Sequence, residues 1–190
     1  VNAVHLACDL VSAIRSRQQS IIETGTHDEA YNIPYTTLHV GRIEGGVQVN
    51  IVPQEAGVEF EIRNLAGDDP TILIEAITQD IAPVIAAARK TSAEADIRLT
   101  VVNSYPGLET ALDERVVALL RDLTGVNATC KVAFGTEGGL FARDLGIPTV
   151  VCGPGSMDQG HKPDEFVTVE QLAICDQMLG GLTARLQAGL

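Results

Sequence analysis

The chain is short of basic residues, and this shortage argues against one class of partner. It has 13 Lys and Arg against 25 Asp and Glu, which gives a formal net charge of −12 over 190 residues. Proteins that bind a phosphate backbone gather Lys and Arg at the contact surface. We therefore do not expect nucleic acid as a partner.

Long apolar runs are also missing. No uninterrupted run approaches the ~18 residues that cross a bilayer, so the sequence predicts a soluble protein without a membrane partner. The 45% hydrophobic content is nevertheless sufficient for a packed core. The chain starts at Val1, directly in a helical pattern and without Met, and we expect a further segment before it.

Cysteine is scarce and shows no pairing motif. No CxxC occurs, and the cysteines fall inside apolar helix or strand patterns, as small buried residues in a reducing compartment do. We therefore expect buried free thiols and a cytosolic location. These cysteines are Cys8, Cys130, Cys152 and Cys175.

Residues 1–106 carry the pattern of a small α+β domain. Apolar residues recur at helical spacing from Val4 until near Gly25. A second helix is predicted after Asp69, which is a candidate cap followed by a first-turn proline, with a kink at Pro83.

Strand patterns complete this first domain. The order α-β-β-α-β lacks only an initial strand to make a ferredoxin-like unit, and we expect that strand to precede Val1. One exposed edge of the sheet, formed by residues 37–42 or 97–102, would then have to be paired or covered. The predicted strands are Thr37–Arg42 and Val47–Val52, joined as a hairpin at Gly45-Gly46, then Val58–Ile62 and Ile97–Val101.

Residues 107–190 alternate between helix and strand patterns, which is typical of an α/β layer. Two strands cannot form a parallel sheet alone, because each needs neighbours to bury both faces. This region therefore resembles part of a larger domain. The predicted helices are Asp113–Thr124, Glu137–Leu145 and Thr168–Leu186, and the predicted strands are Thr129–Phe134 and Pro148–Cys152.

The most informative segment is the loop 153–165, where His161 lies among glycines and carboxylates. It follows a predicted buried strand, and loops at that end of an α/β sheet are where substrates bind. His is a common metal ligand, and Asp158, Asp164 and Glu165 could orient its ring. A catalytic zinc site usually needs three protein ligands, and no HExxH or His-x-Asp pair occurs.

Three motifs, at residues 41–53, 134–141 and 153–165, resemble the acetylornithine deacetylase family of the two-metal aminoacylase and peptidase superfamily. The resemblance covers essentially the whole chain and corresponds to the family's carboxyl half. It implies a ferredoxin-like dimerisation or lid domain lacking its first strand, then the C-terminal part of a zinc-peptidase-like α/β catalytic domain. It also implies a homodimer formed through the lid domain.

The resemblance further implies the roles of individual residues. His161 would bind one of two zinc or cobalt ions, and Asp164 and Glu165 would brace its loop. Asn50 and Arg63 would bind the carboxylate of an N-acylated amino acid. Gly135 and Thr136 would form a substrate-binding turn. These residues are Asn50, Arg63, Gly135, Thr136, His161, Asp164 and Glu165.

Plainer interpretations stay open for three of these positions. His161 could be a surface-loop imidazole without a function. Arg63 and Asn50 share the polar face if both lie on strands, yet Arg63 could simply pair with Glu59 or Glu61 on the hairpin. Thr136 precedes a predicted helix, where it could be an ordinary N-cap, an anion-binding group, or both.

The sequence departs from the family in what it lacks. The His-x-Asp segment, the Glu pair with the general base and a further carboxylate ligand are absent. We therefore expect a catalytically inactive part of an enzyme that deacetylates N-acetyl-L-ornithine in arginine biosynthesis. The alternatives are a sister enzyme acting on succinyl-diaminopimelate, acetylcitrulline or a dipeptide, and a non-catalytic dimerisation or amino-acid-binding module.

Overall fold

A computed structural model describes residues 1–160 and 162–189. Contacts divide the chain into two units. The first consists of Val1–Gly107 together with Cys130–Gly135, and the second of Leu108–Thr129 and Thr136–Leu190. Relative to the predicted division after residue 106, the structure adds the short segment Cys130–Gly135 to the first unit.

The first unit begins with helix α1, Ala3–Thr24. Asn2 caps it, since its side-chain oxygen accepts hydrogen bonds from the backbone N–H groups of Val4 and His5 at 2.9 and 3.2 Å. The helix ends at Gly25, as its spacing predicted. Its buried face consists of Ala7, Leu10, Ile14 and Ile21.

Two antiparallel strands follow, β1 at Thr37–Gly45 and β2 at Ala56–Arg63. Their register is set by pairs such as Val40↔Phe60, and a bulge lies between Val40 and Arg42. Gly45 is required at the end of β1, because a Cβ there would lie 2.8 Å from both Ala56 and Val4.

The predicted strand Val47–Val52 is wrong. These residues belong to the connection between β1 and β2, where Val47 and Val49 are 79% and 107% exposed. Alternation alone misled the prediction, since a strand also needs a partner and β2 already takes the paired edge of β1.

Helix α2, Pro70–Arg89, starts as predicted, with the side chain of Asp69 accepting from the Thr71 N–H at 2.8 Å. It continues through Pro83. Its length and hydropathy would allow it to cross a membrane, a property that counting uninterrupted apolar residues did not detect. Ile77 and Ile81 on this helix are 0% and 1% exposed, so packing in the domain core explains part of its apolar character.

The core of the first unit lies where α1, α2 and the hairpin meet. Ile97 and Leu99 also pack against it and alternate with exposed Arg98 and Thr100. The predicted strand Ile97–Val101 is wrong in its pairing, because within the described residues this segment has no strand partner. Its alternation correctly indicated which side chains face the core. The cluster of buried residues is Leu10, Ile14, Ile21, Leu38, Ile77 and Ile81.

The described part of the second unit contains three helices, α3 at Arg115–Thr124, α4 at Gly138–Leu145 and α5 at Val169–Ala188. All three lie within two residues of their predicted ends. Thr168 caps α5 in a reciprocal capping box with Gln171. The predicted strands Thr129–Phe134 and Pro148–Cys152 are absent from the part of the chain the structure describes. Neither segment has a neighbouring ladder on which to form.

The predicted burial of the cysteines is also wrong. Cys8, Cys130 and Cys152 are exposed and Cys175 is half-buried, although all four are free thiols. Apolar periodicity marks the helix or strand pattern in which a residue lies. It does not guarantee that the residue's face is covered. The described residues form a mixed α/β protein with a two-stranded sheet, and the order in the first unit is α-β-β-α.

Candidate functional site

The glycine-rich loop of the second unit is organised around Ser156. The Asp158 N–H donates to the Ser156 hydroxyl at 3.1 Å, and the Gln159 and Gly160 N–H groups donate to the Ser156 carbonyl at 2.9 and 3.1 Å. Lys162 Nζ donates to the carbonyl of Asp158. Residues 156–160 therefore form tight turns. His161, the predicted metal ligand, lies outside the described residues.

The acids predicted to brace this loop lie just after it. Asp164 has a φ of 59°, a left-handed conformation that Asp tolerates better than most residues. The Glu165 N–H donates to the Lys162 carbonyl at 3.2 Å. Both side chains are exposed. Their proposed action on a metal ligand stays a prediction.

Arg63 lies in the first unit as the last residue of β2, opposite Thr37. Its Nε donates to Glu61 Oε1 at 2.8 Å, which is the ion pair that the plainer interpretation described. Its Nη1 also donates to the carbonyl of Ala133 at 2.9 Å, a contact across 70 residues of sequence. The side chain is 48% exposed, so part of the guanidinium faces solvent.

Asn50 does not share a sheet face with Arg63. It lies in a turn closed by the Ile51 N–H donating to the Gln48 carbonyl at 3.2 Å, and it is exposed. The expected common face depended on a strand at Val47–Val52 that does not form. The sheet therefore does not bring Asn50 and Arg63 together on one face.

Gly135 and Thr136 fall at the boundary between the two units. In the first unit a side chain at Gly135 would overlap the ring of Tyr105, so this position requires glycine. In the second unit the Thr136 hydroxyl accepts from the Gly138 N–H at 3.1 Å, beside the start of α4. Thr136 is therefore not the N-cap of α4, which is Glu137, and its hydroxyl binds the first helical N–H from one residue earlier.

A pairing that sequence reasoning missed joins Lys131 to Asp28 in the first unit. The Nζ to Oδ2 distance is 2.7 Å, and Nζ also lies 5.4 Å from the centre of the Tyr31 ring. The hydrogen bond from Lys131, helped by one from the Ala30 N–H, holds the pKa of Asp28 below its ordinary value of 3.8. The partners are 103 residues apart, so no local pattern could have revealed them.

A complete metal site does not form within the described residues, which contain no cluster of three or more His, Cys, Asp or Glu side chains able to hold an ion. The donors available here therefore do not fit a resident metal by themselves.

Comparison with known proteins shows which proteins this chain is similar to. Residues 1–89 match the family model of the peptidase dimerisation domain of M20 type. The matched region runs from α1 to the end of α2 and so includes the hairpin that carries Arg63. Residues 1–89 are therefore similar to the M20 peptidase dimerisation domain.

The particular relatives are acetylornithine deacetylases, and they confirm the resemblance inferred from the motifs. The chain is 34% identical over 165 residues to the acetylornithine deacetylase of Myxococcus xanthus, covering 85% of this chain and 41% of that protein. It is 30% identical over 189 residues to that of Pasteurella multocida, covering 100% of this chain and 47% of the relative. The chain thus spans just under half the length of these relatives.

Two solved structures share the fold. An M20 family metallo-carboxypeptidase from Sulfolobus solfataricus superposes with a TM-score of 0.55 at 18% identity, over 90% of this chain and 43% of that one. An aminopeptidase from Bacillus cereus gives a TM-score of 0.59 at 22% identity, over 94% and 44%. The relatives are hydrolases by name, and one is by name a metalloenzyme.

Proposed function

We propose that this chain is the lid domain and C-terminal portion of a metal-dependent amidohydrolase that deacetylates N-acetyl-L-ornithine. The observation that carries this proposal is similarity to acetylornithine deacetylases over 85 to 100% of the chain. Arginine biosynthesis in the cytosol is the setting we propose for it.

The chain's own residues would bind and orient the substrate. Arg63 presents a planar fork suited to a carboxylate and is held at two of its nitrogens. Asn50, in its exposed turn, offers an amide that could bind a carbonyl. Gly135 and Thr136 would contribute a turn next to a helix start, where backbone N–H groups favour anions.

The metal chemistry belongs to the complete enzyme. We propose that His161 supplies one ligand to a zinc or cobalt ion whose other donors are not in this chain, with Asp164 and Glu165 supporting its loop. A bound metal ion would polarise the substrate carbonyl and activate water. Because the described residues form no three-donor cluster, we expect the chain alone to be inactive.

The first experiment tests inactivity of the chain alone. The purified 190-residue chain is incubated with N-acetylornithine and either zinc or cobalt, and release of acetate is followed. We expect no turnover above background. Turnover by the chain alone would contradict the proposal that the catalytic donors lie elsewhere.

The second experiment tests His161 in the complete enzyme. His161→Ala should lower bound metal, measured by metal analysis after dialysis, and lower turnover by at least about 100-fold. His5→Ala is the matched control, since His5 is exposed on α1. Full metal content and activity in the His161 variant would contradict the proposal that His161 binds a metal ion.

We also propose a homodimer formed through residues 1–89. Part of the β1 edge is already covered within the chain, because the Gln18 carboxamide accepts from the Leu38 N–H and donates to the Thr36 carbonyl at 3.4 Å. A partner strand could pair only beyond that point. Sedimentation of the complete enzyme should give a dimer, and a monomer at micromolar concentration would contradict this proposal.

A further inference from the structure

Arg63 differs from the other arginine on the charged face of the hairpin. Arg42 donates from Nη1 to Glu59 at 2.8 Å and from Nη2 to Glu44, so carboxylates already occupy the Nη1–Nη2 end of its fork. Arg63 is bound differently, at Nε by Glu61 and at Nη1 by the Ala133 carbonyl. The two arginines therefore offer different groups to a ligand.

The geometry of the guanidinium determines which N–H groups of Arg63 remain available to a ligand. Neither of its two hydrogen bonds to the described residues uses Nη2, and Nη1 carries a second hydrogen. Nη2 and the remaining hydrogen of Nη1 can still donate hydrogen bonds to a carboxylate. The side chain as a whole is 48% exposed, so a ligand from solvent can reach part of it.

Glu61 can hold Arg63 because of the strand. Residues two apart on a strand point to the same face, so β2 places Glu61 and Arg63 side by side, with His39 and Thr37 opposite them on β1. An exposed ion pair of this kind contributes little to folding stability. Its useful effect is to restrict the rotamers of Arg63 before a ligand arrives.

We propose that Glu61 is a positioning residue, which with the Ala133 carbonyl fixes Arg63 so that Nη1 and Nη2 face the carboxylate of the substrate. This inference rests on the proposed function, because it takes Arg63 to be the group that binds the carboxylate. A guanidinium ordered in advance loses less freedom on binding, which corresponds to about two- to tenfold in affinity.

A competing effect makes the proposal refutable. The Glu61 carboxylate is itself an anion next to the site where another anion would bind. If repulsion outweighed orientation, removing Glu61 would tighten substrate binding instead of weakening it. The sign of the change in KM therefore distinguishes positioning from simple charge.

The kinetic test uses the complete enzyme with N-acetylornithine. Glu61→Ala should raise KM about two- to tenfold with kcat unchanged. Glu61→Gln should recover part of the loss, since its amide oxygen still accepts from Nε. Glu59→Ala, which breaks the Arg42 pair on the same strand, is the matched control and should leave KM unchanged. Adding Glu61→Ala to Arg63→Ala should cause no further loss.

The outcomes separate this inference from the proposed function. If Arg63→Ala raises KM while Glu61→Ala leaves it unchanged or lowers it, only the positioning role of Glu61 is overturned. If Arg63→Ala leaves KM unchanged, or the wild-type enzyme does not turn over N-acetylornithine, the proposed substrate role of this face is wrong.

A structural readout tests the positioning without activity. In the 190-residue chain, the Arg63 Nε–H should give a distinct NMR signal protected from exchange with water, because Glu61 accepts its hydrogen bond. Glu61→Ala should remove that protection and Glu59→Ala should not. An unprotected Arg63 signal in the wild-type chain would overturn the proposed anchoring.

Discussion

Removing the hydroxyl of Thr36 should destabilise the first unit more than the loss of a single small group would suggest. Thr36 is 1% exposed, and its hydroxyl donates to the Asp68 carboxylate and accepts from the Leu65 N–H at 3.0 Å. The Asn64 amide adds hydrogen bonds to the carbonyls of Leu65 and Asp68 at 2.9 and 3.0 Å. This network joins the chain entering β1 to the chain leaving β2, next to Arg63.

The expected loss of unfolding free energy depends on which buried polar group each substitution leaves without a hydrogen-bond partner. Thr36→Val keeps the shape of the side chain but leaves the buried Leu65 N–H without its acceptor. The penalty for such a buried unsatisfied group is about 1–3 kcal/mol of unfolding free energy. Thr78→Val is the control, because the Thr78 hydroxyl is exposed and donates only to Ile74 within α2. Its effect should stay within about 0.5 kcal/mol.

The assay can be confined to the unit that changes. The chain has no tryptophan, and its three tyrosines all lie within Val1–Gly107, so tyrosine fluorescence during urea unfolding reports the first unit alone. A Thr36→Val effect no larger than that of Thr78→Val would refute the argument. It would mean that water satisfies the Leu65 N–H in the variant.

Three further predictions use the same assay or circular dichroism. Ile77→Ala should cost about 2–5 kcal/mol by creating a cavity, whereas Ile72→Ala, 63% exposed on the same helix, should cost far less; equal effects would contradict the packing described. The pKa of Asp28 is lowered in the folded state, so the stability it contributes is present above pH 3.8 and is lost as the pH falls through the folded pKa. The difference in urea midpoint between Asp28→Asn and wild type should therefore be seen at neutral pH and disappear in acid, and a difference that persisted in acid would point to another cause. Thr168→Ala removes a capping box and should cost about 0.5–2 kcal/mol, measured as lost helical ellipticity on urea unfolding; no change would show that α5 does not depend on its cap.

The helices were predictable because their signals are local. Asp69 and Thr168 stand at the starts of α2 and α5 and bond to N–H groups two or three residues away. Such contacts form from neighbouring sequence alone. The helices of the described residues were therefore predicted to within a few residues.

The candidate site was only partly predictable for the opposite reason. Pairing of Arg63 with a nearby glutamate followed from strand alternation, and the structure contains it. The second anchor of Arg63, the Ala133 carbonyl, lies 70 residues away, and the Asp28 to Lys131 contact spans 103. No pattern in a single sequence encodes such contacts, because they depend on how the whole unit folds.

The strand errors share one physical cause. Apolar alternation or an apolar run indicates which side chains of a segment should be buried. A strand forms only where the backbone of another segment can hydrogen-bond to it. Ile97 and Leu99 reach the core without such a partner, and Val151 remains 52% exposed within a run that predicted a buried strand. The same reasoning explains why helices, which supply their own hydrogen bonds, were identified correctly in both units.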